Sequence, residues 1–215
     1  MARQKRQSGV GTLFEEEARA GGFRSVAGLD EVGRGALAGP VVAAAVILDP
    51  GAPLPEGLDD SKKLTALQRE RIAEELRGTA RCYAYGLVGP EEIDATNILV
   101  ATRRAMLKAL EDLSPCADFL LIDALQLKES RLPQRAIIRG DSVSASIAAA
   151  SVLAKVYRDR LMRDYDAEFP HYGFSRHVGY GTRQHWEALR AHGCCRLHRK
   201  TFRGVIQEEE GAGTE

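Results

Sequence analysis

Four acidic residues follow three apolar segments of this 215-residue sequence. Asp30 and Glu31 follow Val-Ala-Gly-Leu, Asp123 follows Phe-Leu-Leu-Ile, and Asp141 follows Ala-Ile-Ile-Arg-Gly. If neighbouring strands end side by side, these carboxylates repel one another, and a bound divalent cation relieves the repulsion. A set of oxygen ligands selects Mg²⁺ or Mn²⁺ rather than Zn²⁺. The pattern therefore predicts a metal site at one edge of a sheet.

Each acid taken alone also fits a purely structural role. An acid after a strand is often a turn former or a helix N-cap, and Asp141 before Ser142 fits that role. The three positions together favour the metal site, although their spacing does not by itself establish that they converge.

A glycine-rich segment at residues 28–40 could form a substrate loop. Glycine lets a main chain approach a ligand closely. The backbone of Gly33, Arg34 and Gly35 could then read a sugar while the Arg34 side chain contacts phosphate, with a tight hairpin turn as the alternative. Further along, Lys62 is either a phosphate contact or a solvated charge beside a helix.

Charge is distributed unevenly along a chain that has 30 basic and 30 acidic residues. Residues 176–203 contain seven Lys or Arg residues and one acid, together with four of the five histidines. Such a composition predicts a surface for a phosphate backbone, with a solvated charged face as the alternative. His192, Cys194, Cys195 and His198 could suggest zinc, but adjacent cysteines are poorly placed to chelate one ion.

The elements that must position these residues indicate a mixed sheet flanked by helices. Strands are predicted at 23–33, 39–48, 80–89, 117–125 and 133–141, and helices at 65–78, 90–113, 141–169 and 182–193. This alternation is typical of an α/β fold, and the C-terminal third is mainly helical.

The overall composition excludes several classes of protein. With 44% hydrophobic and 28% charged residues, the chain is expected to fold, and its four cysteines do not form a disulfide framework. The sequence contains neither an apolar run long enough to cross a membrane nor an N-terminal secretion signal. We therefore expect a cytoplasmic protein without membrane contact.

In its motifs the sequence resembles the ribonuclease HII family. The resemblance runs from about residue 26 to residue 202, and it is carried by residues 28–35, 39–45, 60–64, 121–123, 140–142, 147–156, 158–159, 179–182 and 198–202. Two departures are visible: Arg139 stands where many members have lysine, and Val178 stands where many have lysine. The second removes a positive charge and puts one phosphate contact in doubt.

What the resemblance implies is a ribonuclease H-like core with a helical C-terminal part. By resemblance, Asp30, Glu31, Asp123 and Asp141 are the catalytic and metal-binding acids. Gly33, Arg34 and Gly35 correspond to the loop that reads the ribonucleotide, and Tyr180 corresponds to the tyrosine at the RNA-to-DNA junction. We predict an N-terminal tail at 1–20, a catalytic core at 21–170, a substrate-binding part at 171–206 and an acidic tail at 207–215.

The implied activity is endonucleolytic cleavage of the RNA strand of RNA–DNA hybrids and of duplex DNA at embedded ribonucleotides. We hypothesise two-metal hydrolysis with Mg²⁺ or Mn²⁺, giving 5′-phosphate and 3′-hydroxyl ends, by a monomer. The alternatives are a non-catalytic hybrid-binding module and a different ribonuclease H-like nuclease or integrase. The acids disfavour the first of these, since carboxylates repel phosphate unless a metal intervenes.

Overall fold

The computed structural model describes residues 10–113 and 117–206. Its helices are α1 (Leu13–Ala20), α2 (Ala66–Thr79), α3 (Pro90–Ala95), α4 (Ile98–Leu113), α5 (Ala145–Glu168), α6 (Phe174–His177) and α7 (Arg183–His192). Its strands are β1 (Val26–Val32), β2 (Val41–Ile47), β3 (Cys82–Val88), β4 (Phe119–Asp123) and β5 (Gln134–Ile137). The predicted acidic tail at 207–215 lies outside the described residues.

The five strands form one mixed sheet in the order β3-β2-β1-β4-β5. Strands β1 and β2, and likewise β2 and β3, are antiparallel, whereas β4 runs parallel to both β1 and β5. The parallel part of the sheet matters most for function, because parallel neighbours end at the same edge. The predicted α/β fold is confirmed.

Helices cover both faces of the sheet, which explains the continuous apolar run of β2. Side chains of a strand alternate between the two faces. Val41 and Ala43 face the layer that contains α4, whereas Val42 and Ala44 face the layer that contains α2 and α5. With both faces buried, every position of β2 is apolar.

The segment around Asp141 differs from the prediction. The strand predicted at 133–141 ends at Ile137, and the helix predicted at 141–169 begins only at Ala145. Between them, Arg139 adopts a left-handed conformation with φ +56°, and Gly140–Ser142 form a 3₁₀ turn. Asp141 therefore lies in a turn rather than at a helix N-terminus, and Ser144 is the N-cap of α5.

The helix predicted at 90–113 is interrupted. It divides into α3 and α4, because Thr96 leaves the helical region and the Asn97 side chain accepts a hydrogen bond from the backbone N–H of Val100 at 3.0 Å. An asparagine in this position caps the N-terminus of a new helix.

Both ends of the described chain pack against the core. In α1, Ala18 is buried in a cluster with Val26, Leu121 and Ile147. The C-terminal part, which contains α6 and α7, packs on α5 through a second cluster that includes Met162 and Phe174. Among the described helices, none is both long and apolar enough to cross a membrane.

Candidate active site

Asp30 and Asp123 are neighbours at one edge of the sheet. Strands β1 and β4 are parallel, and their last paired residues are Leu29 and Ile122, so the next residue of each strand is an aspartate. Asp30 is only 4% exposed. Burial raises the pKa of Asp30 well above its usual range, and the negative charges of Glu31 and Asp123 raise it further.

Glu31 is partly neutralised by Arg34. Its Oε1 accepts a hydrogen bond from Arg34 Nη1 at 3.1 Å, whereas its Oε2 is buried and has no hydrogen-bond partner among the described residues. Burial raises the pKa of Glu31, and the charge of Arg34 opposes that rise. A buried carboxylate oxygen without a partner is costly, so it is a ready ligand for a cation.

The 3₁₀ turn brings Asp141 to the same edge. The backbone N–H of Gly140 donates to Asp123 Oδ1 at 2.7 Å, which fixes the turn to the end of β4. Asp141 is 5% exposed, and its charge is one of the causes that raise the pKa of Asp123, after burial. The structure thus gathers all four predicted acids around the ends of β1 and β4.

Lys62 reaches this cluster from the segment before α2. Its Nζ lies 3.1 Å from Asp141 Oδ2. The segment is anchored by Ser61, whose Oγ lies 2.9 Å from Ser151 Oγ on α5, and Ser151 in turn hydrogen-bonds to Asp30. Lys62 therefore lies beside the acidic cluster, and its ammonium group contacts Asp141 directly.

The donor set suits a hard divalent cation. The charges of Asp30, Glu31, Asp123 and Asp141 act on one another, all their donors are oxygens, and one carboxylate oxygen has no partner. Within residues 10–113 and 117–206, no three His, Cys, Asp or Glu side chains are already arranged as ligands of one ion. What fits a hard divalent cation is therefore the chemistry of the oxygen donors.

The predicted substrate loop follows directly after the acids. Gly33 has φ +91°, and a Cβ there would lie 2.2 Å from Arg158 Nε, so only glycine fits. Gly35 differs, because a Cβ there would meet nothing within 4 Å. Its backbone is exposed and open, as expected for a chain segment that a ligand approaches closely.

Tyr180 lies beside this loop. The carbonyl oxygen of Gly179 accepts hydrogen bonds from the backbone N–H groups of Leu37 and Ala38, at 2.8 and 3.3 Å. The Tyr180 ring is half-buried, and the Arg158 guanidinium lies 5.7 Å from its centroid. Backbone hydrogen bonds therefore join the glycine-rich segment 28–40, the glycine loop, to the segment 178–182 that contains Tyr180, the tyrosine loop.

Two buried arginines that sequence reasoning missed hold these loops together. Arg158 donates to the carbonyl oxygens of Pro40, Val178 and Ala38 at 2.9, 2.8 and 3.1 Å.

Arg199 donates to the carbonyl oxygens of Gly39 and Arg34, with Nη1 2.9 Å from the latter. Burial lowers the pKa of Arg199 to about 9. A signal for Arg158 was present in the sequence, since it lies four residues after Ala154 and four before Met162, on the apolar face of the predicted long helix.

The basic segment at 176–203 is less available to phosphate than its composition predicts. Arg199 is fully buried, and Arg196 is paired with Glu168 at 2.6 Å. Among its seven basic residues, the side chains that remain exposed are Arg176, Arg183, Arg190, Arg196, Lys200 and Arg203. Fewer than seven cations are therefore available to contact phosphate, because Arg199 is buried and Arg196 is paired.

Three of its histidines, His177, His185 and His198, are buried. His198 Nδ1 accepts from the backbone N–H of Cys195 at 2.9 Å, its Nε2 lies 3.1 Å from His185 Nε2, and His185 Nδ1 lies 3.0 Å from the Tyr180 carbonyl oxygen. These bonds are all satisfied when both rings are neutral. Burial lowers the pKa of His185 and of His198 to about 4. His177 stacks on His185 in the same cluster.

This network also argues against zinc at His192, Cys194, Cys195 and His198. Both ring nitrogens of His198 already have hydrogen-bond partners, so His198 would have to give one up to ligate an ion.

Comparison with known proteins identifies the family. Residues 27–205 match the family model described as Ribonuclease HII. The Ribonuclease HII of Syntrophomonas wolfei is 53% identical over 199 residues, which cover 93% of this chain and 78% of the relative. The Ribonuclease HII of Chlamydia caviae is 53% identical over 197 residues, which cover 91% of this chain and 92% of the relative.

A solved structure agrees with these relatives. The chain superposes on a structure of the PCNA–RNase HII complex from Archaeoglobus fulgidus with a TM-score of 0.71 and 28% identity, covering 85% of this chain and 97% of that one. The family match spans the acids, the glycine loop and Tyr180 alike, and on these grounds the chain belongs to the ribonuclease HII family.

Proposed function

We propose that this chain, a metal-dependent endonuclease of the ribonuclease H type that acts on RNA–DNA hybrids, also nicks duplex DNA at single embedded ribonucleotides. The observation that carries the proposal is the continuity of the site. Arg34 contacts the acidic cluster through Glu31, and the Gly33–Gly35 backbone belongs to the loop that is hydrogen-bonded to the Tyr180 loop. One ribonucleotide could therefore be recognised immediately beside the reacting phosphate.

The four acids are the residues that would hold Mg²⁺ or Mn²⁺. Asp30, Glu31, Asp123 and Asp141 supply oxygen ligands only, and Glu31 Oε2 is free to ligate. Two bound ions would lower the pKa of a water nucleophile and stabilise the charge on the leaving 3′-oxygen, giving 5′-phosphate and 3′-hydroxyl ends. Because the acids hold ions in this scheme, none of them needs to act as a general base.

The cations of the site have a separate task. Lys62 is largely exposed while its Nζ contacts Asp141, so the ammonium can exchange that contact for a phosphate oxygen. Arg34 is likewise partly exposed and can turn from Glu31 to a phosphate. Both residues would bring the phosphodiester to the acids. Their positive charges would also reduce the repulsion between the phosphodiester and the carboxylates.

Selectivity for ribonucleotides depends on the 2′-hydroxyl group, which distinguishes RNA from DNA at one position. The open backbone at Gly33–Gly35 would hydrogen-bond to that hydroxyl, and the Tyr180 ring would pack on the adjoining deoxyribose. Replacing Tyr180 with alanine should then reduce cleavage at a single ribonucleotide more than cleavage of a continuous hybrid.

The test is a nicking assay on a DNA duplex that carries one ribonucleotide, with Mg²⁺, Mn²⁺ or a chelator. We expect a single nick with either metal and no cleavage with the chelator. Asp30→Asn should abolish nicking and raise the thermal midpoint of the metal-free protein, because it removes a buried, repelled carboxylate.

The exposed Asp112→Asn is the matched control and should behave as the wild type does. Near-normal nicking by Asp30→Asn with Mg²⁺ would contradict the metal assignment. Binding of the duplex without cleavage in any metal would instead support a hybrid-binding module.

A cytoplasmic location and a monomeric state stay predictions from the sequence. The monomer is tested by light scattering coupled to size-exclusion chromatography, where a single species of about 23.5 kDa is expected. A species of twice that mass would contradict it.

A further inference from the structure

Glu15 is a buried carboxylate that the acidic cluster does not include. It lies in α1, is 1% exposed, and precedes the residues that match the family model. Its Oε1 accepts three hydrogen bonds, from Ser144 Oγ, Ser146 N and Ser146 Oγ, at 2.6, 2.8 and 2.5 Å. Its Oε2 is buried without a hydrogen-bond partner among the described residues. Such burial costs more than an apolar side chain would, so its explanation lies in what Glu15 holds.

Glu15 holds the turn that carries Asp141. Ser144 is the N-cap of α5, and its backbone N–H donates to the carbonyl oxygen of Gly140 at 2.8 Å. The N–H of Gly140 donates to Asp123 Oδ1 at 2.7 Å. A continuous series of hydrogen bonds therefore runs from Glu15 through Ser144 and Gly140 to an acid of the cluster.

The backbone before α1 is hydrogen-bonded to the residues that follow this turn. The N–H of Gly11 donates to the carbonyl oxygen of Val143 at 3.3 Å, and the N–H of Ala145 donates to the carbonyl oxygen of Gly11 at 2.9 Å. These two bonds lie on either side of Ser144, so Gly11 and Glu15 both hold the short segment 143–146.

The other end of this connection is also tied to α1. Arg135 on β5 pairs with Glu17 at 2.6 Å, and its guanidinium lies 4.7 Å from the centroid of the Phe14 ring. Helix α1 therefore contacts the chain both before and after the left-handed residue Arg139.

We propose that Glu15 is a positioning residue for the acidic cluster: it fixes the Gly140–Ser142 turn so that Asp141 faces Asp123. The inference rests on the proposed function, in which Asp141 holds a metal ion. A carboxylate suits this task, because charge-assisted hydrogen bonds to the three donors are stronger than neutral ones. Through Glu15, helix α1 then contributes to the geometry of the acidic cluster.

The test compares Glu15→Ala and Glu15→Gln with Glu16→Ala in the full-length chain. Glu16 is the matched control, because it is the next residue of α1 and is exposed. Mn²⁺ affinity is measured from the paramagnetic resonance signal of free Mn²⁺, and the nicking rate is measured as a function of Mg²⁺ and of duplex concentration.

We expect Glu15→Ala to weaken Mn²⁺ binding about tenfold or more, the usual cost of losing a group that orients a metal ligand. The Mg²⁺ concentration for half-maximal rate should rise by a similar factor, while KM for the duplex stays unchanged. Glu15→Gln keeps an oxygen that can accept the three bonds, and it should restore most of the affinity. Glu16→Ala should match the wild type.

Equal Mn²⁺ affinity in Glu15→Ala and Glu16→Ala would overturn the proposal. If the wild type neither binds Mn²⁺ nor nicks the duplex, the proposed function fails instead, and the two failures are distinguishable. Should Glu15→Ala not fold by circular dichroism, Ser146→Ala decides the question, since it removes one of the three donors. An intermediate loss of affinity then supports the positioning role, and wild-type affinity contradicts it.

Discussion

At the scale of single residues, the candidate site combines buried carboxylates, which destabilise the fold, with a glycine whose missing side chain leaves room for a ligand. Asp30, Glu31 and Asp123 all have a pKa that burial raises, so their ionised forms destabilise the metal-free fold. Gly35 leaves its surroundings open without any steric need for glycine. Both features break the ordinary preferences of a folded chain, and such exceptions are concentrated at functional sites.

A substitution of Gly35 distinguishes an effect on packing from an effect on substrate contact. Gly35→Ala should leave the thermal midpoint unchanged, because the added Cβ meets no protein atom within 4 Å. We expect the rate of cleavage at a single ribonucleotide to fall by about 100-fold, since a methyl group would displace the sugar from the backbone. The measurement is single-turnover nicking together with thermal unfolding.

Gly78→Ala is the control for this substitution. Gly78 lies in α2, is exposed, and has equal space for a Cβ. The variant should be slightly more stable and fully active, because alanine is the better helix former. Full activity of Gly35→Ala on the same duplex would show that the loop does not contact the ribonucleotide closely.

At the scale of elements, the acids depend on strands whose positions the sequence predicts well. The apolar runs at β1, β2 and β4 predict strands, although the run at 39–48 also fits a short buried helix until its Val and Ile content and flanking Gly and Pro are considered. The parallel pairing of β1 with β4 then brings Asp30 beside Asp123.

The turn that carries Asp141 could not be predicted in the same way. The change of direction occurs at Arg139, and a left-handed conformation has no strong signal when the residue is arginine. Glu15 was missed for a different reason. Its partners lie 129 and 131 residues away, and periodicity describes only local neighbours.

Arg199 tests how the loops are held. Arg199→Lys keeps the charge but cannot make the three hydrogen bonds to the carbonyl oxygens of Gly39 and Arg34. We expect a loss of about 2–3 kcal/mol in the free energy of unfolding, from urea titration. The rate of cleavage at a single ribonucleotide should fall more than the affinity for Mn²⁺. The reason is that the substitution displaces the loops that contact the substrate, whereas the acidic cluster keeps its position.

The matched control is Arg196→Lys, since Arg196 is exposed and contacts Glu168 and the rings of Tyr165 and Phe169. It should keep both stability and activity. A variant Arg199→Lys as stable as Arg196→Lys would show that the buried guanidinium does not hold the loops.

At the scale of the whole molecule, the C-terminal part depends on neutral histidines. His185 and His198 have a folded pKa of about 4, below the ordinary value of 6.5. Between these values the unfolded chain binds protons that the folded chain does not. The contribution of the network to stability is therefore complete above about pH 6.5, and it is lost as the pH falls towards 4.

Urea titrations at pH 7.5 and pH 5.0 measure this loss. Each of the two rings takes up a proton in the unfolded chain but not in the folded one, so we expect a loss on the order of 2 kcal/mol for each ring, about 4 kcal/mol together. His198→Asn keeps an acceptor for the N–H of Cys195 but does not titrate, so its stability should depend less on pH. The comparison also removes the contribution of the acids, whose raised pKa values act in the opposite direction.

The exposed His171→Asn serves as the control and should keep the pH dependence of the wild type. If His198→Asn loses as much stability as the wild type between the two pH values, the neutral network is not the cause of the acid sensitivity.

The central claim is that four acids from three chain segments hold divalent ions at one edge of the sheet. The most direct measurement is an anomalous difference map from a crystal of the full-length chain grown with Mn²⁺. We expect anomalous density enclosed by Asp30, Glu31, Asp123 and Asp141 in the wild type, and none there in Asp30→Asn. Ordered acids with no density between them at saturating Mn²⁺, or density only elsewhere on the molecule, would contradict it.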